Sequence, residues 1–180
     1  MGKMQILVLT MSLAFAVPAM GGSSVGPHDL GAGFSLVVAR LSLGFGFITG
    51  EQDKALAVAG AELLNFSHDH LILTAIDVNG GVIVGGNSGL GYGALGSRIG
   101  YPLYLDELGD HQLQFGVALS FGSTSKTSWS GLLVSPFFRY MWKDCVGAEF
   151  KAVLPTERTA NGDFPMVFVT NAVVFAYWGG

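Results

Sequence analysis

Residues 111–122, His-Gln-Leu-Gln-Phe-Gly-Val-Ala-Leu-Ser-Phe-Gly, alternate strictly in character. Leu113, Phe115, Val117, Leu119 and Phe121 fall on one side of an extended chain. Gln112, Gln114, Gly116, Ala118, Ser120 and Gly122 fall on the other. A period of two is the signature of a β-strand. About ten alternating residues are also what a tilted strand needs to cross a bilayer. The small or polar side chains would then face an interior and the large apolar ones its surroundings.

Composition supports that reading. Of 180 residues, 50% are apolar and only 12% charged, where an ordinary soluble domain carries about 25% charge. Mean hydropathy is +0.50. The chain is of single-domain length. Its 27 glycines are costly in helices. The longest uncharged run of the part beyond the N-terminus, Val78 to Ser97, contains eight glycines with Asn79 and Asn87. That is poor material for a spanning helix, so a glycine-zipper helical membrane protein is the weaker alternative.

The first residues account for some of the hydrophobicity. Lys3 precedes an apolar run from Met4 to Val17, followed by Pro18, Ala19, Met20, Gly21 and Gly22. This reads as a secretory signal peptide over residues 1–19. Residues 20–32, rich in Gly, Ser and Pro, read as a flexible lead-in, and 33–178 as the folded body. Cys145 is the only cysteine, which excludes an intramolecular disulfide and a stapled secreted scaffold. The cleavage region lacks a cysteine, which argues against a lipoprotein. The net charge is −4 with no basic patch, which argues against a nucleic-acid partner.

Eight strand-like stretches follow, near 33–49, 55–66, 70–78 with an extension toward 86, 90–105, 111–122, 130–142, 146–154 and 165–178. Polar, Gly-containing clusters separate them, as they do in all-β chains. Two stretches are ambiguous. Residues 54–64 suit a helix by propensity, and Asn79-Gly80 is a hairpin signal that would raise the strand count to ten. Connections such as Ser67–His70 and Lys143–Cys145 are short, whereas Ser123–Ser128 and Thr156–Asp163 are longer. Alternating short and long connections belong to outer-membrane barrels, whose outer loops are the longer ones.

Charges inside the strands point the same way. Glu149 and Lys151 share a face with Gly147, opposite Val146, Ala148, Phe150, Ala152 and Leu154. Arg139 shares a face with Gly131 and Ser135, opposite Leu132, Val134, Pro136, Phe138, Tyr140 and Trp142. Arg98 falls with Ala94, Gly96 and Gly100, opposite Leu95, Ile99, Tyr101 and Leu103. Arg40 falls with Ser42, Gly44 and Gly46, opposite Val37, Ala39, Leu41, Leu43, Phe45 and Phe47. A charge facing lipid near the midplane costs about 2–4 kcal/mol. The expected interior therefore holds Arg40, Arg98, Arg139, Glu149 and Lys151, with Glu62 and Asp77, as an ion-pair network plugging a closed lumen. Tyr101, Tyr104, Tyr140, Trp142, Tyr177 and Trp178 are expected at one membrane interface. Trp129, with Phe45, Phe47, Phe121, Phe164 and Phe168, is expected at the other.

In this pattern the chain resembles the small eight-stranded outer-membrane β-barrels of Gram-negative bacteria over residues 33–178. The resemblance implies an all-β fold, an antiparallel up-and-down transmembrane barrel, in the outer membrane. It also implies contact with membrane lipid or lipopolysaccharide and outer loops available to surface ligands. The ending departs from the family: such barrels usually finish on an aromatic residue, whereas Tyr177-Trp178 is followed by two glycines.

Chemical motifs are sparse. Gly91–Gly96 fits G-x-G-x-x-G without the strand–helix context a dinucleotide site requires. His68-Asp69-His70 lacks a nearby third metal ligand and reads as a solvated turn. No G-x-S-x-G elbow occurs around Ser88. No catalytic residue, metal site or cofactor is assigned. The C-terminal half also distantly resembles the lipid A palmitoyltransferase barrel. Pro136, Pro155, Asn161-Gly162 and the aromatic-rich last stretch carry that likeness, which implies an acyl-chain pocket. That family pairs an Asp-Ser step with an upstream His, but here Asp77 precedes Val78. The expected function is a non-enzymatic structural, adhesion or surface-interaction barrel. The alternatives are a lipid-modifying or acyl-binding barrel and a soluble secreted barrel with an apolar ligand.

Overall fold

A computed structural model of the chain describes residues 28–31, 34–49, 54–68, 70–85, 89–108, 110–124, 129–143, 146–157 and 166–176. The segment read as a signal peptide, most of the lead-in, Tyr177 and Trp178 lie outside the described residues, as do the side chain of Trp129 and Phe164. The strands are β1 (His28–Gly31), β2 (Phe34–Ile48), β3 (Lys54–His68), β4 (Leu71–Ile83), β5 (Leu90–Tyr104), β6 (His111–Thr124), β7 (Trp129–Trp142), β8 (Val146–Pro155) and β9 (Val167–Ala176). No helix occurs among the described residues.

Each strand pairs antiparallel with the next, and β9 returns to pair with β2 from Ala39↔Ala176 to Ile48↔Val167. Strands β2 to β9 thus form a closed eight-stranded up-and-down barrel. Closure satisfies the edge N–H and C=O groups that an open sheet would expose. The fourteen residues of β6, at ~3.3 Å each and tilted by ~40°, span roughly 35 Å along the axis. Short β1 lies within the segment expected to be a flexible lead-in. It folds back on the start of β2, with His28 opposite Leu36 and Gly31 opposite Phe34.

Residues 54–64 are strand, not helix. Their pairing with both β2 and β4 overrides a propensity worth only tenths of a kcal/mol per residue. Asn79-Gly80 does not turn. It lies inside β4, where Asn79 pairs with Gly60 and Ala94, and Gly80 with Ala59 and Gly93.

One face assignment needs correction. Val37, placed on the outer side by simple alternation with Leu41, is 2% exposed and points inward. The alternation slips by one residue across three neighbouring strands. Val38, Leu64 and Ala75 lie level with one another but outside the paired register. A bulge between Thr74 and Asp77 absorbs the offset against β5. Leu64 carries the distortion in its backbone, with φ of +56°, a region that disfavours a bulky L-residue by about 1–2 kcal/mol. The side chain of Asn65 spans the slip, its Nδ2 donating to the carbonyl of Val37 at 3.4 Å while its Oδ1 accepts from Thr74 Oγ1 at 2.7 Å. Leu64→Gly is therefore expected to cost about 1 kcal/mol less than Leu63→Gly. Urea unfolding of both variants under folding conditions would measure it, and equal costs would refute strain at Leu64.

The interior is layered. At the end of the longer connections, Ile48, Leu56, Val58, Ile83, Tyr92, Leu133, Val153, Val167 and Val169 form one buried apolar cluster inside the barrel. Beneath it lie the charged residues. Gln112, Gln114, Asn65, Thr74 and Met141 are buried toward the short-turn end.

Candidate functional site: a buried ionic core inside an apolar wall

The seven charged residues singled out from the sequence are all buried inside the barrel. Alternation fixes their direction: Glu62 is inward from β3, Asp77 from β4, Arg98 from β5, Arg139 from β7, and Glu149 and Lys151 from β8. Cross-strand register brings some together directly. Arg40 is opposite Glu62, Glu62 opposite Asp77, and Arg139 opposite Glu149. The Glu62–Asp77 neighbourhood juxtaposes like charges, which by itself destabilises a sheet.

Arg98 resolves that conflict. Its guanidinium reaches Asp77 at 2.9 Å, Glu62 at 3.2 Å and, across the lumen, Glu149 at 2.5 Å. Arg139 donates through Nε to Glu149 at 3.0 Å and through Nη1 to Glu62 at 3.1 Å, with Nη2 engaging both carboxylates. Five donors in a planar fork suit this role better than a lysine would. The ring of Phe137 lies 5.1 Å from the Arg98 guanidinium carbon and 5.6 Å from that of Arg139. Gly116 has no room for a side chain beside this ring, because an added methyl group would fall 2.2 Å from the Ile99 carbonyl oxygen and 2.7 Å from Phe137 Cζ.

Arg40 lies 3.8 Å from Glu62, and Lys151 Nζ 3.8 Å from Glu149. Among the described residues, Lys151 Nζ makes no hydrogen bond although it is 1% exposed. Four cations face three carboxylates in the described interior. The network links β2, β3, β4, β5, β7 and β8 across the lumen, so it acts as a set of internal cross-braces.

Outside, the distribution is reversed. Leu41, Leu43, Leu95, Ile99, Leu119, Leu132, Phe138 and Phe150 are among many large apolar side chains exposed around the wall. Tyr101 and Trp142 are exposed toward the short-turn end, and Tyr140 is half-buried there with its hydroxyl 2.6 Å from His111 Nδ1. His70 stacks on Tyr101 with ring centroids 5.8 Å apart. Tyr104 is exposed at the same end, where it ends its strand two residues after buried Pro102. Toward the other end, Phe47 stacks on Phe168 at 5.0 Å, which is 6.5 Å from Phe150.

Alternation could not name the partners of Arg98 or the two-arginine stack on Phe137. Those contacts cross the lumen between residues far apart in sequence. No family model matches this chain, and no curated protein is detectably similar to it.

Proposed function

We propose that this chain is a non-enzymatic outer-membrane β-barrel, exported through its N-terminal signal peptide, that serves a structural or surface-interaction role in a Gram-negative envelope. The observation that carries the reading is the inverted distribution of polarity. Seven ionisable side chains are buried inside while the outer wall is apolar around the barrel. Soluble monomers rarely expose contiguous apolar patches beyond a few hundred Å², whereas a bilayer requires such a wall. The interior supports a structural role over transport. The ionic braces and the apolar cluster occupy the space an aqueous channel would need, in keeping with the narrow bore of eight strands.

The same packing weighs against an acyl-chain pocket inside the barrel. The inner face of the last strand is only partly apolar, because Asn171 is buried there below Val167 and Val169. Val167 and Val169 are packed against Val153, Leu133 and Leu56 in one buried cluster. The longer connections are placed on the outer side, where they would meet surface ligands.

Membrane fractionation with gel mobility of the detergent-folded protein tests the proposal. Recovery in the outer-membrane fraction, and a band that migrates differently before and after boiling, are expected. Recovery in the periplasm without detergent would overturn the membrane reading. A change in lipid A acylation on expression would overturn the non-enzymatic one.

A further inference from the structure

We infer that β1 is a strap that fixes where the closing strand stops, and so sets the register in which the barrel shuts. One edge of β2 has two occupants. β9 holds it from Ala39 to Ile48, and β1 holds it from Phe34 to Leu36. β3 runs along the other edge from Ser35 to Ile48. The two occupants lie end to end. His28 sits opposite Leu36, and Ala176, the last residue of β9, sits opposite Ala39. A few residues more of β9 would therefore reach the part of β2 that β1 engages. A strand has one neighbour on each edge, so the two exclude each other there. The sequence marks the boundary from both sides. Pro27 precedes β1 and has no N–H with which to extend the pairing toward β9. Gly179-Gly180 follow Trp178 and have little strand propensity.

β9 needs such a stop more than its neighbours do. It pairs with β8 at eight positions and with β2 at ten, whereas β6 and β7 pair at fourteen. Val167, Val169 and Asn171 are buried, in alternation with the more exposed Phe168, Thr170 and Ala172. A slide of two residues in either direction returns every side chain to its own face, so alternation alone does not oppose it. A slide toward the longer connections would bring Asn171 into the place of Val169, inside the apolar cluster. An amide without partners there is costly. A slide toward the short-turn end meets no such penalty. It would put Val169 opposite Glu149 and against Gly44, in the place of Asn171. It would also carry the residues that follow Ala176 onto Leu36 and Ser35, where β1 lies. Side-chain chemistry thus blocks one direction, and β1 blocks the other.

Strand pairing alone decides the outcome, so the test uses the full mature chain refolded in detergent, with Cys145→Ser to remove the native thiol. Leu43 is paired directly with Ala172, and would meet Thr170 only after the slide toward the short-turn end. Leu43→Cys with Ala172→Cys therefore reports the native register. Leu43→Cys with Thr170→Cys reports the slid one, because directly opposite positions are close enough for a disulfide and diagonal ones are not. Copper-catalysed oxidation of the chain with β1 intact should give the native disulfide. Removing residues 20–31 should raise the yield of the slid disulfide by about tenfold, the combined effect of losing three cross-strand pairs. Asp29→Pro disrupts β1 without shortening the chain. It should act in the same direction, and it serves where the deletion prevents folding. An unchanged disulfide pattern in folded variants would overturn the strap. So would a slid disulfide that already dominates with β1 intact. Loss of the folded band in both variants would overturn it too, by making β1 a requirement for folding and not a stop. Where the protein is recovered in the cell bears only on the function proposed above.

Discussion

Arg98→Met is expected to destabilise the barrel by about 3–5 kcal/mol, the usual penalty for leaving buried charge without its partner. The guanidinium serves Asp77, Glu62 and Glu149 together. Without it, Glu62 and Glu149 still meet Arg139. Among the described residues, Asp77 keeps the 3.3 Å hydrogen bond from Asn79 Nδ2 and stands beside Glu62. Asp77 therefore carries most of the expected loss. Adding Asp77→Leu to Arg98→Met should recover part of it, because a neutral apolar pair is tolerated where a lone carboxylate is not. Lys143→Met provides the contrast. Lys143 pairs with Asp110 at 3.4 Å at the rim, with 55% of its side chain exposed, and such pairs contribute about 0–1 kcal/mol. Urea unfolding of the three variants and the wild type in lipid vesicles would rank them. A cost for Arg98→Met no larger than that of Lys143→Met would refute the bracing role, and a double variant worse than the single would refute the part given to Asp77.

Val117→Arg is expected to cost about 2–4 kcal/mol and to reduce the folded, membrane-inserted fraction sharply. Val117 is the seventh of fourteen residues in β6, between Ile99 and Pro136 on the outer face. A guanidinium there would lie near the middle of the apolar band, with the longest path to water. Leu108→Arg should be nearly silent, because Leu108 sits in the β5–β6 turn and is 85% exposed. Both substitutions add the same charge to a solvent-accessible aliphatic position. Only a bilayer tells the two sites apart. The folded fraction, read as the unboiled gel band after refolding into vesicles, should separate them. Equal tolerance would remove the argument that this wall faces lipid.

The strands themselves were open to sequence reasoning because each is a local pattern. The alternation of 111–122 extends in the structure over His111–Thr124, and the alternation of 146–154 over Val146–Pro155. Where alternation is interrupted, local reasoning fails. Val37 lies three residues from Arg40, yet both point inward, because a slip shared by β2, β3 and β4 inserts an extra outward position. Nothing in Val38 or Ala75 announces it. Leu64 even disfavours the conformation it adopts, so its neighbours impose that conformation. The helical propensity of residues 54–64 fails for a related reason. The hydrogen bonds offered by β2 and β4 outweigh a preference that exists only in isolation.

For the ionic core, alternation by itself determined which side of its strand each charge takes. Arg98 goes with Gly96 and Gly100 because Leu95, Ile99 and Tyr101 occupy the other side. The partners of each charge were decided only when the sheet closed. Arg139 and Glu62 are 77 residues apart, and Arg98 and Glu149 are 51 apart. Such pairs meet across the lumen, at positions set by strand number, tilt and register together. The row of small residues on the outer wall has the same origin, since Gly80, Gly93, Ser123 and Ser130 come from four strands and become one row through pairing. A period of two is encoded residue by residue, so the sequence alone determined strand and face. Which faces meet is a property of the closed sheet, so only the tertiary structure decided the braces.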